Sequence, residues 1–256
     1  MRLARRLNAI FRTLAHPEER PLRILRLVAR VVMPGYRFTW PQLGWWHDAR
    51  FNAYLDRFGE RDGMNTYRRL TVSELLRLVA EVPGDTAECG VFAGAGSYLL
   101  ASFAQSDPRF ARLHHMFDSF EGLSAPRDVD GAYWREGDLT AGLDVVERNL
   151  AGFRCTRAYK GWIPQRFGEV ADRSFCFVHI DVDLYEPTRD SIEFFYPRLS
   201  PGAILVCDDY ACTTCPGATA AVDEFLASRP EKMIRLPNGG GFLVKGCATA
   251  PAAAIA

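Results

Sequence analysis

The chain has 256 residues, enough for one α/β domain with extensions and a large buried core. Its hydrophobic fraction of 48% and charged fraction of 24% are those of an ordinary globular protein, and its 31 basic residues balance its 31 acidic residues. The zero net charge argues against nucleic-acid binding as the main function. No apolar run approaches the ~20 residues of a membrane span. The seven cysteines lack the spacing of a disulfide scaffold, which fits a reducing cytoplasm.

The first 35 residues are basic, with eight arginines against two glutamates. Pro21–Val32 has apolar residues at helical spacing and predicts an amphipathic helix. We expect its apolar face to pack on protein, and contact with an anionic membrane is the alternative. No signal peptide is predicted, because no apolar core and cleavage site follow the basic start. The expected location is the cytoplasm, with peripheral membrane contact through residues 1–35 left open.

Residues 36–70 are rich in aromatic and charged side chains, and they fit either a lid over the core or a plain helical cap. The motif Thr71-Val-Ser-Glu74 has the form of a capping box, which predicts that a helix begins there. Pro83-Gly-Asp85 ends this helix. We therefore expect an N-terminal extension over residues 1–70, a core over residues 71–246 and a loose tail over residues 247–256.

Residues 86–103 read as a strand, a glycine-rich turn and a helix. Gly90, Gly94 and Gly96 would let the backbone approach a ligand closely, but their spacing is not that of the dinucleotide fingerprint. Leu113–Phe117 reads as the second strand, and Asp118 follows it. An acid at the end of the second strand is where a cofactor ribose is held in such folds.

Two buried strands later in the chain both end in acid. Phe175–Ile180 and Ala203–Cys207 flank an amphipathic run, and together they predict a βαβ unit with parallel strands. Both strand ends then meet at one edge of the sheet, where ligands bind in open α/β sheets. The acids at these two ends are Asp181, Asp183, Asp208 and Asp209.

Four carboxylates at one edge repel one another unless a positive charge lies among them. A hard divalent cation such as Mg²⁺ is the simplest such charge, because it takes carboxylate oxygens. The alternative is that each Asp only caps the helix or turn that follows it. Four acids on adjacent strands favour the metal site.

The remaining elements complete an α/β pattern. Thr156–Lys160 reads as the third strand, helices are predicted near residues 143–150 and 217–228, and residues 232–245 predict a terminal hairpin. Cys212-Thr-Thr-Cys215 is a lone CxxC pair, with no second pair to complete a zinc site.

Six motifs follow one another along the chain: Glu88-Cys-Gly-Val-Phe-Ala-Gly94, Asp118-Ser-Phe-Glu-Gly122, Asp181-Val-Asp-Leu-Tyr-Glu-Pro-Thr188, Asp208-Asp-Tyr210, Cys215-Pro-Gly-Ala218 and Ala221-Val-Asp-Glu-Phe225. Together and in this order they resemble the macrocin O-methyltransferase (TylF/MycF) family. The resemblance runs from about Thr71 to Lys245 and implies a class I methyltransferase Rossmann-like fold, with a mostly parallel sheet, a C-terminal antiparallel hairpin strand and a helical N-terminal extension.

The resemblance implies an O-methyltransferase that uses S-adenosylmethionine and Mg²⁺ to methylate a hydroxyl of a sugar or glycosylated acceptor. It further implies roles for single residues. By position, the metal ligands are Asp181, Asp208 and Asp209, and the cofactor-binding residues are Glu88, Gly90, Gly94 and Asp118.

For partners, we expect a small-molecule or glycan acceptor, no nucleic acid, and a homo-oligomer.

Three other functions stay open at this point. A non-catalytic binding or membrane-associated module with a relic methyltransferase fold is disfavoured, because all three expected metal acids are present. A catechol-type O-methyltransferase also uses a metal and paired acids, but it typically has a lysine three residues beyond the first metal Asp, where this chain has Leu184. A nicotinamide-dependent oxidoreductase on a similar sheet leaves Asp208 and Asp209 without a role.

The group that accepts the substrate proton is expected to be a carboxylate at the site, with a water as the alternative. Asp183 lies just past Asp181 and need not be a ligand, so Asp183 and the metal-bound Asp209 are the predicted catalytic residues. His179 lies within its strand, and we interpret it as a buried, hydrogen-bonded core residue.

Overall fold

The structure is a computed structural model that describes residues 20–35, 45–237 and 239–249. The chain divides into two compact units, Met1–Arg57 and Phe58–Ala256. Helix α1 (Arg20–Val32) lies in the first unit and confirms the amphipathic helix, and α2 (Ala49–Phe58) follows. Within the described ranges, no helix has the length and apolarity needed to cross a membrane. The expectations for residues 1–19, 36–44 and 250–256 lie outside the described residues.

The second unit is built on one seven-stranded sheet, and it confirms the predicted fold. The strands lie in the order β3-β2-β1-β4-β5-β7-β6. The first five are parallel, and β7 pairs antiparallel with both β5 and β6. The strand bounds are β1 Asp85–Cys89, β2 His114–Asp118, β3 Thr156–Lys160, β4 Phe175–Ile180, β5 Leu199–Cys207, β6 Ile234–Arg235 and β7 Gly241–Val244.

Helices cover both faces of this sheet, and the central strands are buried on both sides as in other parallel sheets. Alternate residues of β5 enter two different cores: Leu205 and Cys207 pack on one face, and Ile204 and Val206 on the other. The helices are α3 Gly63–Leu78, α4 Ala95–Ser106, α5 Leu143–Asn149, α6 Tyr185–Phe195 and α7 Pro216–Leu226.

Helix α3 begins earlier than predicted, so the prediction of a start at Thr71 is wrong. Asp62 caps the helix by accepting a hydrogen bond from the backbone N–H of Asn65. The hydroxyls of Thr71 and Ser73 bond to carbonyls of the preceding helical turn instead. The expected division at residues 70/71 would fall inside this helix, and it stays a prediction.

Candidate active site

A cavity of about 600 Å³ lies along the carboxyl ends of β1, β2, β4 and β5. Its volume is within the usual range of small-molecule sites, and its position is the ligand-binding edge of an open α/β sheet. Of the eight predicted site residues, Gly94 and Asp208 do not line it. The six that do are Glu88, Gly90, Asp118, Asp181, Asp183 and Asp209.

The glycine-rich turn after β1 brings two strand ends into close contact. A Cβ at Gly90 would lie 1.8 Å from the carbonyl oxygen of Asp181, and the φ of Gly90 is +82°. Only glycine fits both conditions. Gly94 precedes α4 in the left-handed conformation, with φ +89°. The close approach explains the glycine at position 90, and the left-handed conformation explains the one at position 94. Their roles in a cofactor loop stay predictions.

Glu88 is buried between β4 and the start of α4. Its carboxylate accepts a hydrogen bond from the hydroxyl of Ser97 and lies 2.8 Å from Nδ1 of His179. A Cβ at position 96 would lie 2.0 Å from Glu88 Oε1, so Gly96 makes room for the carboxylate. Burial acts to raise the pKa of Glu88, but the hydrogen bond and charge of His179, together with His114 and Ser97, outweigh burial and leave the pKa below its ordinary value.

Asp118 joins the end of β2 to the glycine-rich turn. Its Oδ2 accepts hydrogen bonds from the backbone N–H of Val91 at 2.6 Å and of Phe92 at 3.2 Å. Its Oδ1 accepts one from the N–H of Phe120 at 2.6 Å. The carboxylate is therefore fixed in direction, and Oδ1 keeps a lone pair for a hydroxyl in the cavity.

Three side chains form what we call the Asp208 group: His179, Asp181 and Asp208 have metal-ligating atoms within 4.8 Å of one another. Two arginines of α3 approach this group. Arg68 Nη1 lies 2.9 Å from Asp208 Oδ2, and Arg69 Nη1 lies 3.8 Å from Asp181 Oδ2. His179 Nε2 lies 3.6 Å from Asp208 Oδ1, too long for a hydrogen bond but close enough for strong attraction between charges.

These cations decide which members of the Asp208 group are charged. Burial favours the neutral acid at Asp208, but attraction to His179 and Arg68 outweighs burial and holds the pKa of Asp208 well below its ordinary value. Burial acts to lower the pKa of His179, but Asp208 and Glu88 raise it to about 10. For Asp181, burial and the charge of Asp208 raise the pKa to about 6.

Asp183, Asp209 and Cys215 form a second set, the Asp183 group, whose metal-ligating atoms also lie within 4.8 Å of one another. Asp209 Oδ2 accepts a hydrogen bond from the backbone N–H of Asp183 at 2.8 Å. Cys215 Sγ lies 3.5 Å from Asp183 Oδ1 and 3.7 Å from Asp209 Oδ1.

The backbone at Asp183 is strained. Its φ is +59°, and the N–H of Leu184 donates to the carbonyl of Val182 at 2.6 Å across it, which makes a tight γ-turn of the rare left-handed kind. Such conformations cost roughly 1–3 kcal/mol and are concentrated at functional sites. The turn fixes the Asp183 carboxylate at the cavity.

Among the described residues, no cationic group lies within 4.0 Å of the carboxylates of the Asp183 group, so these carboxyls tend to hold protons. Burial and the negative charge of Asp181 raise the pKa of Asp183 to about 7. Burial and the charge of Asp183 raise the pKa of Asp209 well above its ordinary value. The four acids therefore differ widely in charge although they follow neighbouring strands.

A family model described as macrocin-O-methyltransferase (TylF) matches residues 63–237, more than half of the chain. The chain belongs to the macrocin O-methyltransferase family. This family is one of enzymes, so the resemblance drawn from the motifs is confirmed.

Curated relatives support this membership. The chain is 32% identical over 148 residues to 8-demethyl-8-(2,3-dimethoxy-alpha-L-rhamnosyl)-tetracenomycin-C 4'-O-methyltransferase of Streptomyces olivaceus, covering 54% of this chain and 57% of the relative. It is 28% identical over 147 residues to mycinamicin III 3''-O-methyltransferase of Micromonospora griseorubida, covering 52% of this chain and 58% of the relative. The matched region thus spans less than two thirds of each relative.

Solved structures show the same fold. The O-methyltransferase NovP matches with a TM-score of 0.59 and 25% identity, over 70% of this chain and 79% of that one. A calicheamicin methyltransferase matches with a TM-score of 0.65 and 21% identity, over 90% of this chain and 94% of that one. These likenesses confirm a class I O-methyltransferase fold.

The metal ligands implied by the macrocin O-methyltransferase family are divided between the two groups, with Asp181 and Asp208 in one and Asp209 in the other. Asp208 Oδ2 is buried and accepts no hydrogen bond from the residues that the structure describes, since its contact with Arg68 lacks hydrogen-bond geometry. A buried oxygen without a hydrogen bond, among further carboxylates, suits a hard divalent cation. The residues therefore fit Mg²⁺, and Arg68 and the ion would compete for the same oxygen, Asp208 Oδ2.

Sequence reasoning missed four residues of this site: Arg68, Arg69, Trp134 and Cys215. The two arginines lie on the part of α3 that the capping-box reading left outside the helix. Arg69 pairs with Glu60 in a two-point hydrogen bond, an interaction between separate elements that spacing does not reveal. Cys215 belongs to a CxxC pair and to one of the family motifs, and neither pattern gives it a role in the site, although it immediately precedes a proline that begins a helix.

Proposed function

We propose that the protein is an S-adenosylmethionine- and Mg²⁺-dependent O-methyltransferase that methylates a hydroxyl of a sugar or glycosylated acceptor. One observation carries the proposal: a single cavity has a glycine-rich turn with Asp118 at one end and the carboxylates of Asp181, Asp183 and Asp209 at the other. Such a cavity suits a nucleoside cofactor beside an acceptor hydroxyl. The names of the relatives, which include two sugar-directed activities, support the acceptor class.

The cofactor would lie against the glycine-rich turn. Gly90 and Gly94 shape this turn through a close backbone approach and a left-handed conformation. The buried carboxylate of Glu88 accepts a hydrogen bond from Ser97, in the helix that follows the turn. Asp118 would accept hydrogen bonds from the ribose hydroxyls through its remaining lone pair. Replacing Asp118 with alanine should weaken S-adenosylmethionine binding by roughly 1.5–3 kcal/mol. Titration calorimetry would measure this, and an unchanged affinity would contradict the role of Asp118.

Methyl transfer is an in-line displacement at an activated carbon, so the protein has mainly to align oxygen, carbon and sulfur. Positioning of this kind can lower a barrier by roughly 7–11 kcal/mol. Asp181, Asp208 and Asp209 are the proposed Mg²⁺ ligands, and the bound ion supplies the positive charge that lowers the pKa of an acceptor hydroxyl. The remaining work of the chain is to hold the acceptor and receive its proton.

Asp183 is the proposed proton acceptor. The strained turn points its carboxylate at the cavity, and a pKa of about 7 suits a general base at neutral pH. His179 is a poorer candidate, because it is buried between Glu88 and Asp208 and a pKa of about 10 keeps it protonated. Its interpretation as a hydrogen-bonded core residue fits these contacts.

The proposal is tested by incubating the protein with labelled S-adenosylmethionine, Mg²⁺ and a panel of glycosides, nucleotide sugars and catechols. Label should appear in one or more glycosides or nucleotide sugars. Transfer to catechols alone would replace the proposal with the catechol-type alternative. An absence of transfer to every acceptor, with cofactor bound, would refute the methyltransferase function for this chain. The homo-oligomer and the membrane contact through residues 1–35 stay predictions.

A further inference from the structure

Trp134 lies on the loop that follows β2, and its half-buried indole lines the cavity. The indole Nε1–H donates a hydrogen bond to Cys215 Sγ at 3.3 Å. The same sulfur lies 3.5 Å from Asp183 Oδ1 and 3.7 Å from Asp209 Oδ1. One buried thiol therefore holds an aromatic ring beside the two carboxylates of the Asp183 group.

The loop that carries Trp134 is tied down on both sides of the tryptophan. On one side, Asp130 accepts hydrogen bonds from the backbone N–H of Arg127 at 2.8 Å and of Tyr185, the first residue of α6, at 2.6 Å. On the other side, the N–H of Gly137 donates to the carbonyl of Leu123 at 2.9 Å. The indole is therefore part of a fixed wall, and ordering it costs little when a ligand binds.

Trp134 lies in the half of the cavity where the acceptor would bind. Gly90 and Asp118 lie at the β1 and β2 end, where the proposed cofactor binds, and the carboxylates lie at the β4 and β5 end. An acceptor hydroxyl must lie near those carboxylates to lose its proton, so its ring must lie near the indole. We infer that Trp134 is the stacking wall for the ring of a pyranoside acceptor, an inference that rests on the proposed function.

The chemistry of the wall favours a pyranose ring. Its C–H groups carry partial positive charge and suit the negative face of an indole, while its hydroxyls lie around the ring edge, within reach of carboxylate acceptors. The N–H of Trp134 is already used by Cys215, so the indole offers ring surface and no hydrogen bond. Trp134 thus selects for the shape of the sugar face, and Asp183 and Asp209 select for its hydroxyls.

The test compares three variants: Trp134→Ala, Trp134→Phe and Tyr133→Phe. Tyr133 is the matched control, since it neighbours Trp134 on the loop but is 62% exposed and not among the described residues that line the cavity. Calorimetry with methyl α-L-rhamnopyranoside, in the presence of S-adenosylhomocysteine and Mg²⁺, measures acceptor binding directly. Steady-state kinetics with the same glycoside gives KM and kcat, and a separate titration gives the affinity for S-adenosylmethionine.

We expect Trp134→Ala to weaken glycoside binding roughly tenfold, with a matching rise in KM. Trp134→Phe keeps an aromatic face and should retain most of the affinity, and Tyr133→Phe should match wild type. S-adenosylmethionine affinity should stay unchanged in all three variants, which also shows that they fold.

Equal glycoside binding by Trp134→Ala and wild type would overturn the inference while leaving the proposed function intact, provided that wild type still methylates the glycoside. A parallel loss of cofactor affinity in Trp134→Ala would also overturn it, because the indole would then serve the cofactor half. If wild type binds and methylates neither this glycoside nor any other pyranoside, the inference and the proposed sugar acceptor both fail.

Discussion

The Asp208 group and the Asp183 group lie at the same edge of one sheet, yet they differ in what balances their negative charge. Arg68 and His179 lie against Asp208 and keep its carboxylate ionised. The Asp183 group has a thiol and backbone N–H groups around it, and its carboxyls have raised pKa values. Neighbouring acids with identical side chains therefore take different protonation states, set only by their surroundings.

This difference assigns different work to the two groups. A carboxylate that stays ionised, such as Asp208, can always bind a cation, but a metal ion must first displace Arg68 from it. A carboxyl whose pKa lies near 7 can gain and lose a proton at neutral pH, as a general base must. Strand ends alone would have given all four acids the same role.

The largest effect should come from removing the metal. Because the acceptor hydroxyl has a very high pKa, chelator should lower turnover by roughly a thousandfold or more, and excess Mg²⁺ should restore it. Asp208→Ala should not be rescued by Mg²⁺. A radiometric transfer assay measures both, and full activity in excess chelator would remove the metal from the mechanism.

Replacing Arg68 with methionine would break the charge balance of the Asp208 group. Asp208 would keep His179 but lose its arginine partner, so the free energy of unfolding of the metal-free protein should fall, by at most roughly 3–5 kcal/mol. Mg²⁺ should bind the variant more tightly than wild type, since no guanidinium competes for Asp208 Oδ2. Denaturant unfolding with and without Mg²⁺ measures both effects, and Arg77→Met, at an exposed position of the same helix, is the control. Weaker Mg²⁺ binding by Arg68→Met would show that Arg68 supports the metal and does not compete with it.

Two near-isosteric substitutions compare the groups directly. Asp183→Asn removes the proposed base and should lower kcat roughly a hundredfold. His179→Gln keeps a hydrogen-bonding side chain in the core and should lower kcat less, with cofactor affinity largely retained in both variants. Single-turnover kinetics and cofactor titration decide the question. A His179→Gln enzyme that folds and binds cofactor but has almost no activity would make His179 the base.

The smallest effect concerns pH and the metal-free protein. The pKa of Asp183 is raised by folding from an ordinary value of 3.8 to about 7. Its contribution to stability is therefore fully present below pH 3.8 and is lost as the pH rises through 7. In chelator, wild type should lose about 2 kcal/mol of unfolding free energy between pH 5 and pH 7 relative to Asp183→Asn. Parallel pH profiles for the two proteins would contradict the raised pKa.

The sequence predicted the sheet, its parallel order and the edge where the acids meet, because strand runs and strand-ending acids are local features. It also predicted that something positive must lie among the carboxylates. The sequence could not identify the protein's own cations, because Arg68 precedes Asp208 by 140 residues and only the packing of α3 brings the two together. Asp62 is the N-cap of α3, but the capping-box motif at Thr71 led to a predicted helix start later in the chain.

The order of the strands has a consequence for how the protein behaves at high concentration. Unpaired strand edges can recruit the edges of other molecules and start aggregation. One edge of this sheet is β3, which carries charged side chains at Arg157 and Lys160, and the other is β6, which is only two residues long. Charge and shortness are two known ways of protecting an edge from such pairing. We therefore expect this sheet to resist edge-to-edge association during folding and purification.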